Sequence, residues 1–210
     1  RHETRNVIDR MLAVGVEREH MRVTGSERGG DARRDGRTLA APPCPRYPRA
    51  RVIPEDPMTA IAKRLAELGA TLPDAPAPAA NSVPFVQVGN LVHISGQISQ
   101  NEAGLIKGKL GEDLSFEQGA EAAKRCAISL LAQLKKALGG DWDRLDRAVK
   151  LVGFVNSTPD FTDQPKVING ASDFLVAVLG DAGRHARSAV SAVSLPLGVA
   201  VEIEAIFALK

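Results

Sequence analysis

Aromatic residues are scarce in this chain: six Phe, one Tyr and one Trp among 210 residues. So few rings leave no stacking platform for single-stranded nucleic acid. Cysteine is rarer still. Cys44 and Cys126 lie far apart, in neither CxxC nor CxxH spacing. They support neither a zinc site nor a disulfide framework, and a reducing compartment is the simpler expectation. No apolar run reaches the roughly 18 residues that a membrane helix needs. The opening Arg-His-Glu-Thr-Arg-Asn also lacks the apolar core of a signal peptide. A cytoplasmic protein with no membrane partner is therefore expected. A marked excess of either charge is missing too: a net +2 is too small for a polyanion binder and makes a nucleic-acid partner unexpected. What remains, 44% hydrophobic and 25% charged, is ordinary globular material with enough for a core.

Composition divides the chain near Met58. Residues 1–57 hold 12 Arg, no Lys and nine acidic residues, whereas the remainder holds 9 Lys, 6 Arg and 16 acidic residues. The first segment has one aromatic, Tyr47, a proline cluster around Cys44, and a single weakly helical stretch, Val7–Glu17. It cannot bury enough apolar surface to offset its ordering entropy, so a disordered extension is expected. An arginine-rich arm for phosphates needs a clearer excess of cations than this interspersed charge provides. The total bias of Arg over Lys suggests instead a spurious extension, translated from GC-rich DNA upstream of a start at Met58. Residues 58–210 would then be the folded domain.

From Met58 the patterning becomes regular. Thr59 can cap a short helix through Leu68, with Ile61, Leu65 and Leu68 inward and Gly69 as its stop. Pro73–Ala80 reads as an extended linker. Phe85–Val88 and Leu91–Ser95 read as strands joined at Gly89-Asn90. Ser115 and Gln118 form a capping box for a helix to about Leu138, whose stripe is Phe116, Ala120, Ala123, Ala127, Leu130, Leu134 and Leu138. Arg147–Asn156 reads as a largely buried strand. A second long helix spans about Thr162–Leu179, and strands Arg187–Val193 and Val199–Ala208 flank Leu195-Pro196-Leu197-Gly198. The order predicts an α+β fold, a sheet with two helices packed on one face.

Familiar catalytic motifs are absent. Gly104–Lys109 imitates a phosphate loop but has three residues between its glycines and Leu110 where a Ser or Thr would hold magnesium. Asn156-Ser157-Thr158 is a chance glycosylation sequon. His93 and His185 lack ligand spacing, so no metal site is expected. The informative stretch runs from Arg187 to Ile206. In the last strand Val199, Val201, Ile203 and Phe207 share one face, leaving Glu202 and Glu204 on the other. Arg187 opens the preceding strand, so its guanidinium and a carboxylate could line a common cavity. An Arg fork matches the carboxylate of a small α-keto or α-imino acid, and a nearby Glu can handle water. A plain Arg–Glu ion pair across the sheet is the competing reading of the same spacing.

The block Arg187-Ser188-Ala189-Val190, Leu195-Pro196 and Val201-Glu202-Ile203-Glu204-Ala205-Ile206 resembles the C-terminal signature of the RidA/YjgF family of reactive-intermediate deaminases, once labelled endoribonuclease L-PSP. Ser95-Gly96-Gln97 resembles that family's strand motif near the start of the domain. The resemblance covers about Val83–Lys210. It implies a chorismate-mutase-like subunit with a mixed sheet, a homotrimer, and sites in the clefts between subunits. It implies hydrolysis of enamine and imine intermediates, such as 2-aminoacrylate, to 2-keto acid and ammonia without a cofactor. Residue by residue, Arg187 would bind the substrate carboxylate and Glu202 would position water. Asn169 would lie near the cleft, Ser95, Gly96 and Gln97 would form its wall, and a backbone carbonyl near Ala189 would receive the substrate amino group. Two departures stand out. Phe85 replaces a tyrosine of the deaminases, and Ala189 replaces a frequent cysteine. The helix Ile61–Leu68, the segment Asn156–Phe161 and the run Gly183–Arg187 resemble a separate bacterial branch. A non-catalytic keto-acid sensor is the alternative function, and an endoribonuclease the third.

Overall fold

The fold rests on helices packed against each other and on a sheet, with small residues at points where they meet. In the computed structural model, residues 57–75 and 81–210 are described. All of them belong to one compact unit. The extension expected over residues 1–57, save its last residue, and the final part of the Pro73–Ala80 linker lie outside the described residues.

Helix α1 runs Pro57–Glu67, starting ahead of Thr59, with a proline at its first position where the missing N–H costs nothing. Ile61 and Leu65 are buried as the spacing predicts, whereas Leu68, expected inward with them, lies just past the helix end and is exposed. Strands β1 (Phe85–Val88) and β2 (Leu91–Ile98) form an antiparallel hairpin. Its two-residue turn has φ +59° at Gly89, the position at which a type II′ turn wants glycine. A small hairpin follows, β3 (Gln100–Asn101) with β4 (Gly104–Leu105), so the imitation phosphate loop, read as a turn, instead begins as a strand and continues with a bridge from Lys107 to Val199.

Helix α2 spans Phe116–Ala137 with both hydrogen bonds of the Ser115/Gln118 capping box in place. Its buried surface is wider than one stripe and includes Ala122, Cys126 and Leu131 beside the expected Ala123, Ala127, Leu130 and Leu134. The reason is tertiary: α2 packs on the sheet with one flank and on helix α3 (Gln164–Leu179) with another. Phe116, expected in the stripe, is exposed. It stands at the first helical position, where side chains lean back past the helix start rather than onto the core.

Strands β5 (Leu145–Asn156), β6 (Ala186–Ala192) and β7 (Val201–Leu209) complete a five-stranded sheet of order β1-β2-β7-β5-β6. β5 pairs parallel to β6 through the crossover α3, and every other pairing is antiparallel. The alternation in β7 is as expected: Val201, Ile203 and Phe207 are buried, Glu204 is exposed and Glu202 half-buried. The α+β architecture is thus the expected mixed sheet with α2 and α3 packed on one face, and the short α1 as a third helix beside them. α1 rests on α3, where Arg64 Nη1 donates to the carbonyl of Val178 at 3.0 Å near the end of that helix. Asn156, of the formal sequon, is buried and hydrogen-bonded to Lys109 and the Val199 carbonyl.

The α2–α3 contact is closest at Gly170, where an added Cβ would collide with the Ala120 carbonyl. A backbone obstacle cannot rotate aside. Gly170→Ala is therefore expected to lower stability by about 1–3 kcal/mol despite its better helix propensity. Thermal unfolding should show a Tm lower by about 2–10 °C.

Candidate functional site

The sequence-predicted site residues fall into two groups, which one chain does not bring together. The first group is built on the β1-β2-β7 half of the sheet. Pairing between β2 and β7 slips between Ile94 and Gln97, so Ser95 and Gly96 form a β-bulge. Ser95 Oγ donates to the Val83 carbonyl at 2.7 Å and fastens the approach to β1. Gln97 points inward and is buried, its Nε2 donating to the Ser95 carbonyl at 2.9 Å. It braces the bulge from below. Gly96 lies directly under the Glu202 carboxylate, and a Cβ there would strike Glu202 Oε1. Its φ is not in the left-handed region. Close approach, not backbone freedom, is therefore why glycine fits. Burial and then the neighbouring charge of Glu204 hold the Glu202 carboxyl above the ordinary carboxylate range. Phe85, on the edge strand β1, packs partly buried against the core.

The second group is built on β6 and α3. Arg187 pairs with Leu151, which in turn pairs with Ala205, and all three share the helix-covered face. Its Nη1 donates to Asn169 Oδ1 at 2.8 Å and to Ser172 Oγ at 3.0 Å. Among the described residues, no partner engages its Nε or Nη2, and no carboxylate pairs with it. Three of the five guanidinium N–H groups lie on Nε and Nη2, so a planar acceptor can still be met by the two-donor edge that these nitrogens form. Ala189 also faces the helices and packs against the core. β6 is an edge strand, so alternate backbone groups near Ala189 have no strand partner.

Glu202 pairs with Phe154, which pairs with Val190, on the opposite, open face of the sheet. β5 separates the strands of Arg187 and Glu202, a lateral step of about 10 Å. The common cavity expected from sequence, and the competing Arg–Glu ion pair, therefore do not form within one chain. The face of each strand was readable from its alternation. That β5 intervenes was not.

The sequence reading did not assign roles to Ser172 and His185. Ser172 follows Asn169 by three positions on α3, the spacing that puts both on one helix face. His185 Nε2 lies 3.1 Å from Ser172 Oγ, and its Nδ1 lies 2.6 Å from the Gly183 carbonyl. Burial pushes the His185 pKa down, the Gly183 carbonyl opposes this, and the Arg187 charge lowers it further. The balance favours the neutral imidazole.

Residues 62–208 match the family described as "YjgF/chorismate mutase-like, putative endoribonuclease". The chain is a member of the RidA/YjgF family. Protein TCP17 of Trypanosoma cruzi is 47% identical over 152 residues, covering 71% of this chain and 94% of that protein. The crystal structure of Atu1372 from Agrobacterium tumefaciens, described as of unknown function, superposes with a TM-score of 0.69 at 45% identity. That match covers 73% of this chain and 95% of the other. A Shewanella oneidensis protein whose name carries the endoribonuclease designation superposes with a TM-score of 0.68 at 31% identity, over 71% of this chain and 99% of its own. The mixed sheet with its helical cover is thus the RidA/YjgF fold. No helix among the described residues is long and apolar enough to cross a membrane.

Two substitutions should move the Glu202 titration in the same direction. Glu204→Gln removes the repelling charge, and Gly96→Ala pushes the carboxylate outward to water. Each is expected to lower the Glu202 pKa toward the ordinary carboxylate value, read by NMR titration of the side-chain carboxyl. An unchanged pKa in Gly96→Ala would mean that the bulge does not press on Glu202. Gly96→Ala should fold with little loss of Tm, because the obstructing atom is the end of a flexible side chain.

Proposed function

We propose that the protein is a hydrolytic deaminase of small reactive enamines and imines of the 2-aminoacrylate type, releasing a 2-keto acid and ammonia. The observation that carries this reading is Arg187, a half-buried guanidinium held at Nη1 with no carboxylate partner among the described residues. Such a group wants a planar anion, and the carboxylate of an imino or keto acid supplies one. In the reaction, the enamine tautomerises to the imine, water adds to the imine carbon, and the C–N bond breaks to leave ketone and ammonia. Glu202 takes one proton from the attacking water and a second from the carbinolamine hydroxyl as the carbonyl forms, and passes each to the departing nitrogen. Its raised pKa makes it a stronger base than an ordinary carboxylate. A carbonyl near Ala189 receives the substrate amino group, Asn169 steadies Arg187, and Ser95, Gly96 and Gln97 wall the cleft. No cofactor is required, and a cytoplasmic setting suits a scavenger of metabolic intermediates.

We further infer a homotrimer in which the Arg187 group of one subunit meets the Glu202 group of the next. The open face that carries Glu202 also presents exposed Val86, Val88 and Val190, an apolar surface suited to subunit contact. The resemblance to the family supports the same arrangement. A non-catalytic keto-acid sensor is the second reading, favoured by Phe85, which stands where the deaminases carry a tyrosine and offers no hydroxyl that could hold water. An endoribonuclease is disfavoured by the slight acidic balance of residues 58–210.

Ammonia release from enzymatically generated imino acids tests the proposal. Arg187→Lys should lose about tenfold to a hundredfold in kcat/KM, because an ammonium keeps the charge but not the fork. Glu202→Gln should lower turnover by about 10²–10⁴ while keto-acid affinity survives. In the wild type, turnover should fall as pH drops through the raised Glu202 pKa, since only the carboxylate accepts a proton. Glu204→Gln should carry that acid limb to lower pH. Keto-acid binding without turnover would favour the sensor, and a monomer that retains binding by light scattering would sink the shared site.

A further inference from the structure

We propose that Ser172 and His185 are positioning residues that hold the Arg187 guanidinium in place for a planar carboxylate ligand, an inference that rests on the reading of Arg187 as the anion anchor. The direction of every hydrogen bond follows from what its ends can do. The Gly183 carbonyl can only accept, so His185 Nδ1, at 2.6 Å, carries a proton. In the neutral ring Nε2 is then an acceptor, and its neighbour at 3.1 Å is Ser172 Oγ. That oxygen accepts from Arg187 Nη1 at 3.0 Å, because a guanidinium can only donate. The chain therefore runs one way, from Arg187 to Ser172 to His185 to the Gly183 carbonyl. Each link leaves the next with a matching role.

Both ends of this chain are tied to the same helix. Ser172 and Asn169 belong to α3, one turn apart. Gly183 is buried against α3, so close that a Cβ would strike the Leu175 carbonyl. The terminal acceptor thus cannot drift from the helix that carries the first one. An arginine side chain has high rotamer entropy, and fixing it before the ligand arrives removes that cost from binding. Ser172 and His185 need not touch the ligand to do this.

The test uses the full chain with pyruvate as the probe, Kd by calorimetry, and the His185 tautomer by imidazole ¹⁵N shifts. The wild type should show His185 as the neutral Nδ1–H tautomer at pH 7.5. Ser172→Ala should weaken pyruvate binding about tenfold, and His185→Gln by a similar factor. Ser172→Thr, which keeps the hydroxyl, should restore affinity to within about threefold. In the ammonia assay KM should rise with kcat nearly kept, a split that a general loss of folding would not produce. An Nε2–H tautomer or an imidazolium at pH 7.5 would overturn the inference. So would wild-type Kd in both Ser172→Ala and His185→Gln while Arg187→Ala abolishes binding. Unchanged binding in Arg187→Ala would overturn the anchor reading, and this inference with it.

Discussion

Everything in the subunit depends on β5 being paired on both of its edges. It runs antiparallel to β7 on one side and parallel to β6 on the other. A parallel neighbour reached from the end of β5 requires a crossover long enough to return the chain, and α3 is that crossover. The helix must then cover the sheet beside α2. It can do so only because Gly170 and Ala120 present almost no side chain where the two meet. The same pairing delivers Arg187 to the sheet edge beneath α3, within reach of Asn169 and Ser172.

The two ionisable groups of the candidate site are held by different physical means. Arg187 is placed by directed hydrogen bonds from a rigid helix, which act on one nitrogen and leave the remaining fork open. Glu202 is placed by exclusion. The strand aims it at the open face, the bulge at Ser95-Gly96 removes any side chain below it, and Glu204 repels its charge. A carboxylate held in this way is less comfortable ionised than one in water, so at neutral pH Glu202 works against folded-state stability. Its folded pKa lies above the unfolded value, and its stabilising contribution fades as pH rises through that folded pKa. Such a trade of stability against reactivity is common where a group must exchange protons.

Much was legible from local pattern. The Ser115/Gln118 capping box, the Gly89-Asn90 turn and the alternation of β7 each depend on residues a few positions apart. Their physics is settled within one turn or one strand. The misplacements were at the margins of elements. α1 begins at Pro57 rather than beyond Thr59, and Phe116 lies outside the core because its side chain leans past the helix start. The breadth of the buried surface on α2 was also hidden, because a periodic stripe records one packing partner and α2 has two.

The sequence by itself determined which segments are helices and strands, which face of β7 is apolar, and which family the chain resembles. These follow from periodicity, capping and short motifs, all of which act over neighbouring residues. The tertiary structure alone decided that β5 stands between β6 and β7, and so that Arg187 and Glu202 leave the sheet on opposite faces. It also brought Gly96 under the Glu202 carboxylate, Ser172 to Arg187 and His185 to Ser172. Strand order is set by the packing of distant segments against a shared core, and no spacing along the chain encodes which strand will intervene.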